Sequence, residues 1–308
     1  MIYMTREQSF LPNPSRINIP FVLDIIIVSN PEQIKRIESS SDVDRLHAYP
    51  TAELPWWVKY YLSATRFHTP QDDNWFLPFE SSANREYQKR RSQMDDQIAR
   101  GYRPQDITKI ADLLVSNADD SDLSFHMAQL IAGRFSQAEI PLDICLAGRE
   151  TLQRLPEAIN PVRYAQAKKA HGKLYDFCAH NLLDDYHLVD AGQHTIAGAA
   201  KSMVDALHIL KENINLPVDK IFTKNPITLQ APRIAIRDSD LGGLLKSKTK
   251  PGWTVVIFQI AKAAQKTSDL YFTFGTGTSE RACSFMNFFL DFMKDLQMEL
   301  IDRTASVD

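Results

Sequence analysis

The chain has 308 residues, of which 44% are hydrophobic and 24% charged, and its formal net charge is −3. This composition is typical of a globular protein that buries a sizeable core. The near-balanced charge argues against nucleic-acid or anionic-membrane partners, which bind through an excess of Lys and Arg. Cys145, Cys178 and Cys283 form no CxxC pair and leave an odd count, which favours a reducing compartment. Because no segment reaches the ~20 apolar residues that span a bilayer, we expect a cytoplasmic protein without a membrane anchor.

The first hundred residues begin with a strand and a helix. Phe21–Val28 is rich in β-branched residues and predicts a strand, after which Ser29-Asn-Pro31 opens a helix over Glu32–Ser39. Leu54–Phe79 is rich in aromatic residues, which favours core or pocket lining over a nucleic-acid platform. Ser81–Arg100 predicts a charged helix with a solvated face.

The next eighty residues predict one helix after another. Asp106–Val115 and Asp122–Phe135 carry apolar residues at helical spacing. Pro141 and Pro161 mark the entries to further helices, the second of which is long and covers Tyr164–Leu183.

Tyr186–Lys211 has the pattern of a long buried helix with two glycines in its apolar interior, Gly192 and Gly198. Glycine inside a helix costs about 1 kcal/mol relative to alanine, so these positions suggest that something bulky packs close to the backbone. A neighbouring helix is one explanation, and a flat cofactor or ligand is the other.

The last eighty residues return to strands before a final helix. Ile227–Leu245 and Trp253–Phe258 have strand character, and the turn Phe274-Gly-Thr-Gly277 precedes Cys283. Apolar residues at helical spacing follow Cys283 up to Leu300. We therefore expect a mainly α single domain over residues 1–308, with a small β-sheet near each end.

Several of these stretches, in this order, resemble the cytochrome P-450 superfamily. The resemblance implies a shortened cytochrome P-450-like α+β fold. Its pieces are an early strand-to-helix step at Ser29–Ile34, a C-helix-like segment at Arg85–Arg91, a central oxygen-binding helix at Ala191–Ile196, a strand pair at Pro232–Gly243 and Lys250–Val256, and a haem-thiolate loop at Phe274–Cys283.

The resemblance also implies a role for individual residues. Cys283 would be the axial thiolate ligand of a haem b iron. Thr195, with His194 in place of the family's acid, would handle protons on the opposite side of the haem. The haem propionates would accept charge-assisted bonds from Arg90, Arg233 and Arg281. The haem would also contact Gly192 and Gly277, which are small enough to let it lie close to the backbone.

Besides having His194 in place of the acid, the sequence departs from the family pattern at further sites. Five residues separate Gly277 from Cys283, where the pattern has three. The Glu-x-x-Arg pair of the family is absent, because Lys220 and Thr223 stand at its positions. The chain is also shorter than the usual catalytic domain.

Two functions therefore stay open. The first is a haem-thiolate oxidoreductase, monooxygenase-like or peroxide-dependent, that acts on a small apolar substrate and takes electrons from a ferredoxin-type donor. The second is a haem-free P-450-like binding or helper protein that has lost catalysis, or a nonfunctional paralogue. Without the resemblance, Cys283 would be a core cysteine, Thr195 a helix hydroxyl bonded to its own backbone, and His194 a satisfied buried histidine.

Overall fold

The computed structural model describes residues 15–19, 23–40, 43–44, 56, 68–69, 74–75, 85–98, 101–133, 138–154, 160–181, 192–193, 195–227, 231–235, 239–241, 243–245, 254–267, 269–270, 283 and 285–305. The aromatic-rich stretch Leu54–Phe79 lies largely outside these residues. Within the described residues, no helix combines the length and apolarity needed to cross a membrane.

One five-stranded sheet joins the two ends of the chain. Its strands lie in the order β1-β2-β7-β6-β3, and β2 runs parallel to β7 whereas the other pairs are antiparallel. The expectation of separate small sheets near each end is therefore wrong, because β2 of the first part pairs with β7 of the last. The bounds are β1 Ser15–Ile19, β2 Leu23–Val28, β3 Val43–Asp44, β6 Ala231–Ala235 and β7 Thr254–Phe258, and a separate hairpin holds β4 His68–Thr69 and β5 Asn74–Trp75.

Helices make up most of the described chain. Asn30 caps the first of them, because its side chain accepts a hydrogen bond from the Gln33 N–H at 3.1 Å. The helices are α1 Pro31–Glu38, α2 Arg85–Ile98, α3 Pro104–Val115, α4 Asp120–Ala132, α5 Leu142–Arg154, α6 Pro161–Asn181, α7 Val204–Glu212, α8 Val218–Lys224, α9 Ile260–Ala264 and α10 Met286–Ala305.

A central helix begins before α7 and ends with it. It consists of helical residues 192–193 and 195–197, a π-helical segment at Gly198–Met203, and α7 itself. The backbone stays in the right-handed helical region at Ala197, Met203 and Val204, so the π-helical segment lies within a continuous helix. The long buried helix predicted over Tyr186–Lys211 is confirmed where it is described, and its π-helical segment is an addition that periodicity did not indicate.

Two helical cores lie on either side of the central helix. The main core contains Ala199 and Met203 of the π-helical segment together with apolar residues of α3, α4, α7, α8 and α10, including Phe292. The second core contains Ile196 and Ala197 together with apolar residues of α4, α5 and α6. The central helix is thus buried on both sides and fixes how the surrounding helices are arranged.

Candidate functional site

Thr195 lies at the centre of the candidate site and is completely buried. Helical spacing places it on the same side of the central helix as Gly192, three residues before, and Ala199, four residues after. Gly192 is also buried, and Ala199 belongs to the main core. The predicted site residues Thr195 and Gly192 therefore share the side of the helix that continues into the main core.

Cys283 approaches this core from the other end of the chain. It is half-buried, packs against the main core, and lies three residues before the start of α10. Its carbonyl accepts a hydrogen bond from the Met286 N–H at 3.1 Å, so it enters the first turn of that helix. A helix amino terminus favours an anion, which suits a thiolate ligand. The structure thus brings Cys283 and the helix that carries Thr195 to one core.

Among the described residues, the central helix has unfilled space beside Gly198. A Cβ atom added to this half-buried glycine would meet no atom of the described chain within 4 Å. No neighbouring helix within the described residues therefore explains this glycine. The close helix contact lies instead at Gly148 of α5, where an added Cβ would stand 3.2 Å from the Cα of Ala197. Space beside Gly198 and close packing beside Ala197 distinguish the two sides of the helix.

Gln193 is a site residue that sequence reasoning missed. Its side chain is 1% exposed, and its Oε1 atom has no hydrogen-bond partner among the described residues. A buried acceptor of this kind ordinarily finds a partner, because leaving it unpaired costs about 1–3 kcal/mol. The only sequence signal was its position between Gly192 and Thr195 in an otherwise apolar helix.

Three of the predicted site residues, one proton-handling residue and two haem contacts, are not described by the structure. His194, Gly277 and Arg281 fall outside the described residues. Arg90 and Arg233 are placed by their backbones alone, in α2 and in β6. Their roles stay predictions.

The placement of α2 nevertheless relates it to the cysteine. Met94 and Ile98 of α2 are buried, and they pack against Phe285 and Phe288, which follow Cys283 directly in the chain. Arg90 lies one helical turn before Met94. The helix predicted to carry a propionate ligand therefore packs beside the segment that carries the predicted iron ligand.

The positions of the missing Glu-x-x-Arg pair fall on α8. Lys220 is exposed, and the Thr223 hydroxyl donates to the carbonyl of Asp219 in its own helix at 2.6 Å. Neither residue takes the place of a buried ion pair in the described structure. This departure from the family pattern is therefore structural as well as sequential.

Within the described residues, no group of three or more His, Cys, Asp and Glu side chains could hold a metal ion. A haem iron takes only one or two ligands from the protein, so it needs no such group. Three features fit a haem: the half-buried thiol of Cys283, the buried hydroxyl of Thr195 and the space beside Gly198. The altered positions on α8 do not contribute to that fit.

Comparison with known proteins identifies the fold. No protein-family model matches the sequence, and no curated protein is similar to it. Among solved structures, a six-coordinated cytochrome P-450 from Thermus thermophilus matches 94% of this chain and 86% of its own, with a TM-score of 0.63 and 13% identity.

Two further structures match to a similar degree. The cytochrome P-450 of the Bacillus subtilis 168 bacillaene polyketide synthase has a TM-score of 0.60 and 11% identity, over 94% of this chain and 85% of its own. A P-450 solved with an acyl carrier protein that bears hexadec-9Z-enoic acid has a TM-score of 0.60 and 14% identity, over 91% and 85%. The chain therefore has a divergent cytochrome P-450-like fold.

Proposed function

We propose that this protein is a haem-thiolate oxidoreductase of the cytochrome P-450 type. The observation that carries the proposal is the meeting of two distant stretches at one core. Cys283, at the start of α10, and Ala199, one turn after Thr195, both pack into the main core. The resemblance assigns the iron ligand to the first stretch and the proton-handling hydroxyl to the second.

Each residue of the site would have a defined task. Cys283 would hold the iron, and Arg90, Arg233 and Arg281 would bind the haem propionates. Gly192 and Gly277 would let the backbone approach the haem closely. A bound haem would supply one-electron and oxygen chemistry that no side chain of the protein can supply.

Thr195 and His194 would move protons on the side away from the cysteine. Thr195 is completely buried, so water reaches it only through the site itself. A hydroxyl both donates and accepts a hydrogen bond, which allows it to pass a proton without becoming charged. His194 would exchange protons near neutral pH, as an acid in its place would not.

We infer that the substrate is a small apolar organic molecule. The residues that continue from Thr195 along its side of the helix, Ala199 and Met203, are apolar. One fold neighbour is solved with a fatty acid on a carrier protein, which fits a substrate of this class. Electrons would come from a ferredoxin-type donor or, in a peroxide-dependent variant, with the peroxide itself.

The second candidate is a haem-free binding or helper protein. The observation in its favour is α8, where Lys220 is exposed and Thr223 bonds to its own helix. The longer spacing between Gly277 and Cys283 points the same way. Such a protein would keep the packed helices and bind an apolar partner in the space beside Gly198.

A spectroscopic test separates the two candidates. The protein, expressed with ample haem precursor, is scanned for a Soret band and then reduced under carbon monoxide. We expect a thiolate-type spectrum that Cys283→Ala abolishes and that Cys178→Ala, a buried control in the second core, retains. A colourless preparation would refute the haem-thiolate proposal, and an unchanged spectrum of Cys283→Ala would remove Cys283 from its role.

A further inference from the structure

We propose that Ser124 and Arg149 are positioning residues that hold the π-helical segment of the central helix and thereby the placement of Thr195. The role of Thr195 in this proposal rests on the proposed function. The hydrogen bonds that link Ser124, Arg149 and Asp120 to the central helix, called the clamp below, are independent of haem. Neither Ser124 nor Arg149 is part of the family resemblance.

The carbonyl of Ala200, in the π-helical segment, is the point at which Ser124 binds the central helix. In a regular α-helix it would accept from the N–H of Val204, but that N–H donates to the carbonyl of Lys201. The Ser124 hydroxyl donates to the Ala200 carbonyl at 2.7 Å, across 76 residues of sequence. This bond ties the π-helical segment to α4 and gives its buried carbonyl a hydrogen-bond donor from outside the central helix.

Ser124 is in turn supported by Arg149. Its side chain is fully buried, and its oxygen accepts a hydrogen bond from Arg149 Nη1 at 3.1 Å. The same Nη1 donates to the backbone carbonyl of Asp120 at 3.2 Å, and Nη2 pairs with the Asp120 carboxylate. Arg149 therefore fixes the direction in which the Ser124 hydroxyl points, toward Ala200.

Helix α5 also contacts the central helix just before the π-helical segment. Gly148, the neighbour of Arg149, brings the α5 backbone against Ala197. On the far side of the segment, His208 of α7 bonds to Asp120 at 2.7 Å. The clamp thus holds the helix at Ala197, at Ala200 and at His208.

The consequence concerns Thr195, which lies two residues before Ala197. A π-helical segment widens the helix and changes the direction in which the side chains on either side of it point. If the segment reverts to a regular α-helix, the residues before it rotate relative to those after it. The rotation would move Thr195 relative to Ala199 and Met203, which are packed in the main core with Cys283.

The test combines Ser124→Ala, the conservative Ser124→Thr and a matched control, Thr151→Ala. Thr151 is also a buried hydroxyl of this region, but its hydroxyl donates to the carbonyl of Ala147 in its own helix at 2.8 Å and not to the central helix. Hydrogen exchange is measured at backbone amides 198–204 in the protein as purified. We expect exchange about tenfold or more faster in Ser124→Ala, and near the parent rate in Ser124→Thr and Thr151→Ala. Unchanged exchange in Ser124→Ala would overturn the clamp.

The link to Thr195 has its own readout. In the haem-loaded protein, the C–O stretching frequency of the reduced carbon monoxide complex reports on the polar groups beside the haem. We expect it to shift in Ser124→Ala and to stay unchanged in Thr151→Ala. Faster exchange without this shift would refute the positioning role.

The two proposals fail separately. A colourless protein would refute the haem-thiolate function, and the clamp would then stand or fall on the exchange rates alone. If Ser124→Ala does not fold, Arg149→Met replaces it, because this variant keeps Ser124 but removes its supporting donor. We expect intermediate acceleration at amides 198–204, and parent-like rates would overturn the role of Arg149.

Discussion

Gly148→Ala is predicted to destabilise the protein, although the same change usually stabilises a helix. An added Cβ at Gly148 would lie 3.2 Å from both the Cα of Ala197 and the Cγ2 of Ile196. These separations are about 0.3 Å shorter than a favourable carbon–carbon contact. Because Ala197 is backbone in the middle of a buried helix, the contact is relieved only by moving α5 and the central helix apart.

The magnitude follows from two opposing effects. Replacing glycine in a helix interior gains about 1 kcal/mol, whereas overpacking a close contact costs about 1–3 kcal/mol. The net free energy of unfolding should therefore fall by roughly 0–2 kcal/mol. Gly172→Ala in α6 is the matched control, because its added Cβ meets no described atom within 4 Å and should stabilise by up to about 1 kcal/mol.

Urea unfolding of the two variants measures the difference directly. With a slope of about 3 kcal/mol per molar urea, the two midpoints should differ by up to about 1 M, with Gly148→Ala the lower. If Gly148→Ala raised the midpoint as much as Gly172→Ala, the close approach of α5 to Ala197 would be incorrect. That outcome would also count against the proposed clamp on the π-helical segment, which includes this approach.

Three further predictions test the core, the clamp and the thiols. Phe292→Ala should lower the free energy of unfolding by about 3–5 kcal/mol, because Phe292 is completely buried, whereas exposed Met298→Ala should change it by less than about 0.5 kcal/mol in urea unfolding. Burial alone would raise the pKa of Asp120, but hydrogen bonds from His208 and Arg149 lower it below its usual value. The stabilisation that these hydrogen bonds provide is fully present above the pKa of Asp120 in the unfolded chain, about 3.9. It is lost as the pH falls through the lower pKa of Asp120 in the folded protein. The carboxylate is 46% exposed, so Asp120→Asn should cost about 0.5 kcal/mol at pH 7 in urea unfolding and less below about pH 4, and a pH-independent cost would contradict the pairing. At pH 8 a thiol reagent should label Cys283 and spare Cys145, whose pKa is raised to about 12 by burial; haem loading should then protect Cys283, and continued labelling of the loaded protein would contradict ligation.

The helices could be predicted from the sequence because their evidence is local. Ile107, Ile110 and Leu114 were expected on one face of a helix, and all three are buried in the main core. The spacing from Phe289 to Leu300 likewise predicted the buried face of α10. Amphipathic periodicity records which side of a helix meets the core, without reference to the partner.

The sheet was predicted only in part because strand pairing is not local. The strand over Phe21–Val28 is confirmed where described, and the predicted strand pair is the antiparallel pair β6–β7, with Arg233 opposite Val256. The parallel pairing of β2 with β7 was missed, although Ile25–Ile27 gave a hint. A strand with an unbroken apolar run is usually buried on both faces.

The π-helical segment and its clamp could not have been predicted from the sequence. Ser124 in an apolar helix looks like a hydroxyl bonded to its own backbone, as Thr151 and Thr223 are. Its actual partner, the Ala200 carbonyl, lies 76 residues away in the π-helical segment. The interaction exists only once the tertiary structure has formed.

The two candidate functions place different demands on the two sides of the central helix. The side held by Gly148 and Ser124 is closely packed and hydrogen-bonded. The departures from the family pattern include the longer spacing before Cys283 in the sequence, His194 of the central helix, and Lys220 and Thr223 on α8. Packing behind Thr195 would serve a haem enzyme and a haem-free binding protein equally, because both need a rigid wall. The choice between them therefore depends on the side of the helix that faces Cys283. There the thiol of Cys283 is retained, whereas the Glu-x-x-Arg ion pair is lost. A thiolate-type spectrum that disappears in Cys283→Ala would show that haem binds without this ion pair.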